Sequence, residues 1–104
     1  MELQVGDRIY QETYNHITGV YIVERVTKTM AFCDKGGKFK REYHDSFWII
    51  PLKQDRWDAN HYQLETPELK EKLYRQNAIK KILRYNYENL STEQIKSIIS
   101  ILTS

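Results

Sequence analysis

The first half of the chain alternates between apolar and polar positions with a period of two. This alternation, rich in β-branched and aromatic residues, is typical of half-buried strands. It predicts five strands, at residues 5–10, 17–26, 30–33, 38–43 and 47–50. The third and fourth flank Asp34-Lys35-Gly36-Gly37, a hairpin signal because glycine tolerates the positive φ angles of tight turns. Pro51 cannot donate to a central ladder, so we expect it to close the sheet or to place the fifth strand at an edge.

The second half of the chain changes to a helical pattern. Residues 53–65 lack a clean period and are interpreted as a connection that packs on the core through its aromatic side chains. Thr66 then provides an N-cap hydroxyl, Pro67 a favourable first helical residue and Glu68 an acid in the first turn. With apolar positions at helical spacing, these signals predict a first helix that runs to about Tyr87.

A second helix is predicted to begin at Ser91, because Ser91 and Gln94 have the spacing of a capping box. Its apolar residues recur at i, i+3, i+4 and i+7, at Ile95, Ile98, Ile99 and Leu102. Four large apolar groups left in water would be costly for a marginally stable domain. We therefore expect this stripe to pack within the domain or across a homodimer.

The order of elements predicts an α+β protein that forms a single domain over residues 1–104. A β part covers about residues 5–51, and a helical hairpin covers residues 66–103. Four or five short strands with close turns suit either a small antiparallel sheet or a partly open barrel of SH3-like size. The barrel is slightly favoured.

Composition narrows the kinds of chemistry the chain can carry. Cys33 is the only cysteine, which excludes an internal disulfide and a cysteine-rich zinc site and is typical of a reducing compartment. No export signal or membrane span is recognised, so we expect a cytoplasmic protein with no membrane partner. His16, His44 and His61 lie in separate segments without the spacing of a metal site. No catalytic residue, metal ligand or cofactor is predicted, and the protein is not expected to be an enzyme.

Basic residues gather around the predicted hairpin, interleaved with Phe39 and Tyr43. The candidates for binding there are Arg25, Lys28, Lys38, Lys40 and Arg41. Cations beside aromatic rings on a sheet are a common way to bind single-stranded RNA or DNA. Alternatively, the aromatic rings face inward and the lysines only solvate an edge. The first 52 residues carry seven basic and seven acidic residues, which weakens the nucleic-acid interpretation.

A second basic group lies on the first predicted helix. Lys80, Lys81 and Arg84 can form a continuous ridge there, which either binds an anionic partner or solvates the helix. Trp57, in the connecting segment, is a third candidate, as part of an aromatic binding surface. The formal net charge of +2 is too small to indicate nucleic-acid binding by itself.

Four segments together resemble small, largely uncharacterised proteins of bacteriophages and mobile elements. They are VGDRIY (5–10), GVYIVERVTKTMAF (19–32), GGKFKREY (36–43) and LETPELKEKLYRQNAIKKI (64–82). That group includes anti-CRISPR proteins, which inhibit host defence by occupying a nucleic-acid channel or interface of an effector. The resemblance implies a shared β fold and transfers no functional residue.

Two hypotheses follow from these observations. The first is a non-enzymatic, phage-type inhibitor of an RNA-guided defence effector, which binds a protein or ribonucleoprotein in the cytoplasm of a bacterial host. The alternative is a small module that binds single-stranded RNA or DNA through basic and aromatic residues.

Overall fold

The computed structural model describes residues 1–45, 48–53 and 59–104. Its strands are β1 (Arg8–Thr13), β2 (His16–Val26), β3 (Met30–Cys33), β4 (Lys38–Lys40) and β5 (Asn60–Leu64). Two helices follow, α1 (Pro67–Arg84) and α2 (Thr92–Thr103). Short 3₁₀ turns lie at Asp34–Gly36 and Tyr87–Asn89.

The five strands form one antiparallel half-barrel sheet with the order β4-β3-β2-β1-β5. The segment before β5 hydrogen-bonds to both edges of this sheet. Ile49 N donates to Tyr62 O of β5 at 2.9 Å, and Lys40 N of β4 donates to Ile50 O at 2.8 Å. Pro51 forms an isolated antiparallel bridge with Phe39, at the sheet edge where a residue without an N–H is tolerated.

The concave side of the sheet encloses the main hydrophobic core. Its fully buried side chains include Leu3, Ile9, Val23 and Phe39. The rings of Tyr21, Phe39 and Tyr62 pack edge-on and tilted against one another, with centroids 5.1 to 6.5 Å apart. Because strand residues alternate between faces, Ile9 points into this core and its neighbour Tyr10 points to the other side.

On that other side, the first turns of α1 pack against the sheet. Leu69 forms a second buried cluster with Tyr10 and Ile17. Thr66 Oγ1 accepts a hydrogen bond from Leu69 N at 3.2 Å, which satisfies one of the unpaired N–H groups at the start of the helix. The predicted N-cap is therefore confirmed.

The chain divides into two compact units, Met1–Tyr74 and Arg75–Ser104. The second unit, which we call the helical unit, contains the end of α1, the 3₁₀ turn and α2. Ser91 caps α2 with a complete capping box, in which Ser91 Oγ accepts from Gln94 N and Gln94 Oε1 accepts from Ser91 N. The expectation of a single domain stays a prediction.

The predicted α+β class, a sheet followed by a helical hairpin, is confirmed. β3 has the expected bounds, whereas β1 begins three residues later because Gly6, with a φ of 94°, lies in a turn. The segment interpreted as a connection contains β5. Trp48–Ile50 of the predicted fifth strand form no regular strand, and Phe47 lies outside the described residues.

The first helix ends at Arg84 and not at Tyr87. The chain leaves the helix because Asn86 caps the following 3₁₀ turn, its side chain accepting a hydrogen bond from Glu88 N. The hydroxyl of Tyr87 donates to the carbonyl of Ile82 and so satisfies an acceptor of the last helical turn.

Candidate binding surface

The convex side of the sheet brings three of the predicted binding residues together. Arg25 of β2 pairs with Phe32 of β3, and Phe32 pairs with Lys38 of β4, so the three residues form one row across the strands. Lys40 pairs with Met30 in the next row on the same side. We call Arg25, Phe32, Lys38 and Lys40 the basic sheet face.

Arg25 and Phe32 are in direct contact within this face. The Arg25 guanidinium carbon lies 4.1 Å from the centre of the Phe32 ring, within the range of a cation–π interaction. A guanidinium stacked on a ring keeps its N–H donors at its edge, where they can bind a phosphate or carboxylate in a bidentate manner. The contact therefore orients Arg25 and leaves its N–H donors available to an anionic partner.

The alternation of the strands explains why the lysines are exposed. β4 has the burial pattern exposed, buried, exposed, with Lys38 and Lys40 outside and Phe39 inside. Lys28 is exposed in the tight turn between β2 and β3. Among the described residues, no acidic side chain forms an ion pair with Arg25, Lys28, Lys38 or Lys40.

The aromatic residues expected to flank these cations face the interior. Phe39 is 2% exposed and Tyr43 is 8% exposed, so neither offers a ring for stacking. The inward orientation of these two rings, which the alternative interpretation expected, is therefore confirmed, whereas the role of the lysines stays a prediction. The ring beside the cations is that of Phe32. Phe32 alternates along β3 with the inward-facing Ala31 and Cys33, and this alternation was the signal that could have identified it.

Arg41 does not join the basic sheet face, because its donors are used within the protein. Its guanidinium donates to Leu3 O at 3.0 Å, to Thr27 O at 3.1 Å and to Gln4 Oε1 at 3.4 Å. It also lies 3.6 Å from Glu2 Oε2. Arg41 thus ties the N-terminal segment to the β2–β3 turn.

The other predicted binding residues lie elsewhere. Lys80, Lys81 and Arg84 are exposed on the last turns of α1, in the helical unit. Among the described residues, none forms an ion pair with these three cations. Trp57 lies outside the described residues. The exposed tryptophan that the structure describes is Trp48, which the sequence analysis did not single out.

Trp48 borders a cleft of about 410 Å³ on the first unit, where the other lining residues are polar or charged. Its ring packs edge-on against the His61 ring, with centroids 5.2 Å apart. Glu12 also lines the cleft, where it accepts a hydrogen bond from Gln63 at 3.1 Å and pairs with Lys72 at 3.0 Å. His61 and Glu12 thus have partners that account for their positions.

The helical unit contains an apolar groove of about 750 Å³ between α1 and α2. Its lining comprises Lys81, Ile82, Tyr85, Tyr87, Leu90, Ile98, Ile101 and Leu102. The stripe predicted on α2 is largely exposed, since Ile99 is 54% and Leu102 is 78% accessible. The expectation that this stripe is covered, within the domain or across a homodimer, stays a prediction.

Cys33 is buried in the main core and is a poor candidate nucleophile. Burial, together with the carboxylates of Asp34 and Glu24, raises the pKa of its thiol from 9.0 to about 11. A thiol with so high a pKa carries almost no thiolate near neutral pH, and the thiolate is the reactive form. Within the described ranges, no group of three or more His, Cys, Asp and Glu side chains is placed to hold a metal ion.

No family model, no curated protein and no solved structure matches this chain. In the described part of the chain, neither helix has the length and apolar character that a membrane crossing requires.

Proposed function

We propose that this protein is a non-enzymatic binding protein that inhibits an RNA-guided defence effector in a bacterial host by binding to the effector ribonucleoprotein through the basic sheet face. The observation that carries the proposal is the row Arg25–Phe32–Lys38, in which exposed cations flank an aromatic ring on a rigid sheet. Such a row is suited to an anionic surface made of phosphates and bases.

The rigidity of the face supports a binding role. Its three strands are anchored from behind by the buried side chains of Val23, Ala31 and Phe39, so the cations are presented with little freedom in the backbone. Binding costs less free energy when the surface is already ordered. The resemblance to phage-borne proteins, a group that includes inhibitors of RNA-guided effectors, indicates the kind of partner.

The proposal is tested by plasmid interference in bacteria that carry an RNA-guided defence system. Expression of the protein is expected to restore uptake of a targeted plasmid to the level of an untargeted one. The matched control carries Arg25→Gln, Lys38→Gln and Lys40→Gln, and we expect it to leave interference intact. Unchanged interference with the wild-type protein, over a panel of such systems, would contradict the proposal.

Binding of free single-stranded RNA or DNA is a second candidate function, favoured by the half-buried Phe32 ring that lies between two exposed cations. Four phosphate contacts, from Arg25, Lys28, Lys38 and Lys40, would give an affinity for single strands that falls about fiftyfold between 50 and 200 mM salt. Fluorescence anisotropy with a labelled oligonucleotide measures this directly. Affinity that does not depend on salt would exclude this function.

A further inference from the structure

The helical unit leaves most of its apolar side chains uncovered. None of the residues 75–104 is buried. Leu83 on α1 is 77% exposed, and Ile101 on α2 is 73% exposed. An apolar patch of this kind is uncommon on a protein that stays monomeric and marks a surface that is covered in the functional state.

The apolar surface of the helical unit is also wide. At 3.6 residues per turn, the apolar arc on α1 spans about 100° of the circumference. It consists of Ile79, Ile82 and Leu83, and Tyr85 follows directly after the helix ends at Arg84. The arc on α2, from Ile101 around to Ile99, spans about 160° by the same geometry. Both arcs exceed the narrow seam that one neighbouring helix needs, so each helix is suited to contact a helix of a second hairpin as well as its own neighbour.

We propose that the helical units of two copies of this chain pack together as a four-helix bundle. Two hairpins supply four helices, and each helix then contacts both its partner in the hairpin and a helix of the other copy. A twofold axis allows the same surface to serve on both copies. This proposal is independent of the proposed function, because it uses none of the residues of the basic sheet face.

The placement of charge favours a second copy over an acidic peptide as the occupant of the groove. Lys81 is the only charged residue among the described residues that line it. Lys80 and Arg84 follow on the same flank of α1, and the other flank carries Ile79 and Leu83. An acidic helix bound in the groove would therefore have cations along only one of the two edges of the groove. In a bundle of two hairpins, the apolar arcs meet and the cations stay hydrated outside.

Sedimentation equilibrium of the 104-residue chain, over a wide range of protein concentration, tests this proposal. We expect a mass of twice the chain at high concentration and a melting temperature that rises with concentration, since dissociation and unfolding are coupled. A wild-type protein that remains monomeric at hundreds of micromolar would overturn the proposal, as would a melting temperature that does not change with concentration.

Two variants of α2 locate the interface. Leu102→Glu places a charge in the apolar arc, at a side chain that is 78% exposed within one chain, and should raise the dimer dissociation constant at least tenfold. Ser100→Glu adds the same charge on the polar side of the same helix and should leave the constant within a factor of two. Equal weakening in both variants, or none in Leu102→Glu, would show that α2 is not the interface.

Discussion

At the scale of single residues, the hairpin between β3 and β4 depends on two glycines for different reasons. Gly36 has a φ of 77°, which side-chain-bearing residues rarely adopt. Gly37 has an ordinary φ of −66°, but a Cβ there would lie 2.7 Å from Cδ1 of Tyr21. Tyr21 cannot move aside easily, because its ring packs against Phe39 and its hydroxyl donates to Gln11 at 3.0 Å.

Gly37→Ala is therefore expected to destabilise the protein by about 1 to 3 kcal/mol, the usual cost of overpacking. Urea denaturation, followed by tyrosine and tryptophan fluorescence, measures the difference in unfolding free energy. Gly19→Ala is the matched control, since a Cβ at Gly19 would meet its nearest neighbour, Gln11, at an ordinary 3.5 Å. Equal effects of the two substitutions would show that the contact with Tyr21 is unimportant.

Tyr10 makes the unfolding free energy of the protein depend on pH in the alkaline range. Its hydroxyl donates to Glu65 at 2.9 Å, and burial, followed by this hydrogen bond and the Glu65 charge, raises the pKa of Tyr10 from 10.0 to about 12. Because the folded state disfavours the phenolate, the stability that the neutral phenol contributes is complete below pH 10. It is lost as the pH rises towards 12.

Tyr10→Phe should lower the unfolding free energy at pH 8 by about 1 to 2 kcal/mol, through loss of a hydrogen bond to a charged acceptor. Between pH 10 and 12 its stability should fall less steeply than that of the wild type. Chemical denaturation at several pH values measures both effects, and the contribution of Cys33, present in both proteins, cancels in the difference. Parallel curves above pH 10 would contradict the assigned role of Tyr10.

At the scale of elements, local signals predicted the parts that depend on neighbouring residues. The caps at Thr66 and Ser91, the glycine turn and β3 follow from side chains a few positions apart, and these predictions are confirmed. β5 was missed because it is a short strand at the edge of the sheet, where only two apolar residues, Tyr62 and Leu64, alternate with polar ones and pack partly buried against the main core. Its strand conformation comes from pairing with β1, which is distant in sequence.

The candidate site was predicted only in part for the same reason. The sequence identified Arg25, Lys38 and Lys40, but their grouping around Phe32 depends on the register of three strands and on a bulge between Val23 and Arg25. That bulge changes which β2 residue lies opposite Phe32. Composition gives no indication of the bulge. It also gives no indication that the Arg41 guanidinium donates to Leu3, Thr27 and Gln4, so Arg41 was not recognised as a structural residue.

The capping box of α2 gives a prediction at this scale. A helix of 12 residues is marginal in water, so a missing cap should be visible in its helicity. Ser91→Ala is expected to cost about 1 kcal/mol and to reduce the helical signal in far-ultraviolet circular dichroism. Ser100→Ala, in the interior of the same helix, should leave the signal unchanged or slightly increased. A helical signal unchanged in Ser91→Ala would contradict the role of the cap.

At the scale of the whole molecule, the two candidate surfaces have different chemistry. The basic sheet face on the first unit carries exposed cations around one ring, which suits an anionic partner. The groove of the helical unit is lined almost entirely by apolar side chains, which suits a second apolar surface. A dimer formed through the helical units carries two basic sheet faces, and two linked binding sites raise the overall affinity for a partner that can engage both.

Affinity capture with two charge-matched variants tests the proposal that the basic sheet face binds the effector ribonucleoprotein. One variant carries Arg25→Gln, Lys38→Gln and Lys40→Gln, and the other carries Lys80→Gln, Lys81→Gln and Arg84→Gln. Both remove three exposed cations, and exposed substitutions usually change stability by no more than about 0.5 kcal/mol each. Mass spectrometry and RNA sequencing identify what is captured from cells that carry an RNA-guided system.

We expect the wild type and the helix variant to capture the effector with its guide RNA, and the sheet variant to lose it. The salt dependence of the remaining binding should also fall by about one unit for each lost phosphate contact. Capture by the sheet variant at the wild-type level, with an unchanged salt dependence, would contradict the proposal.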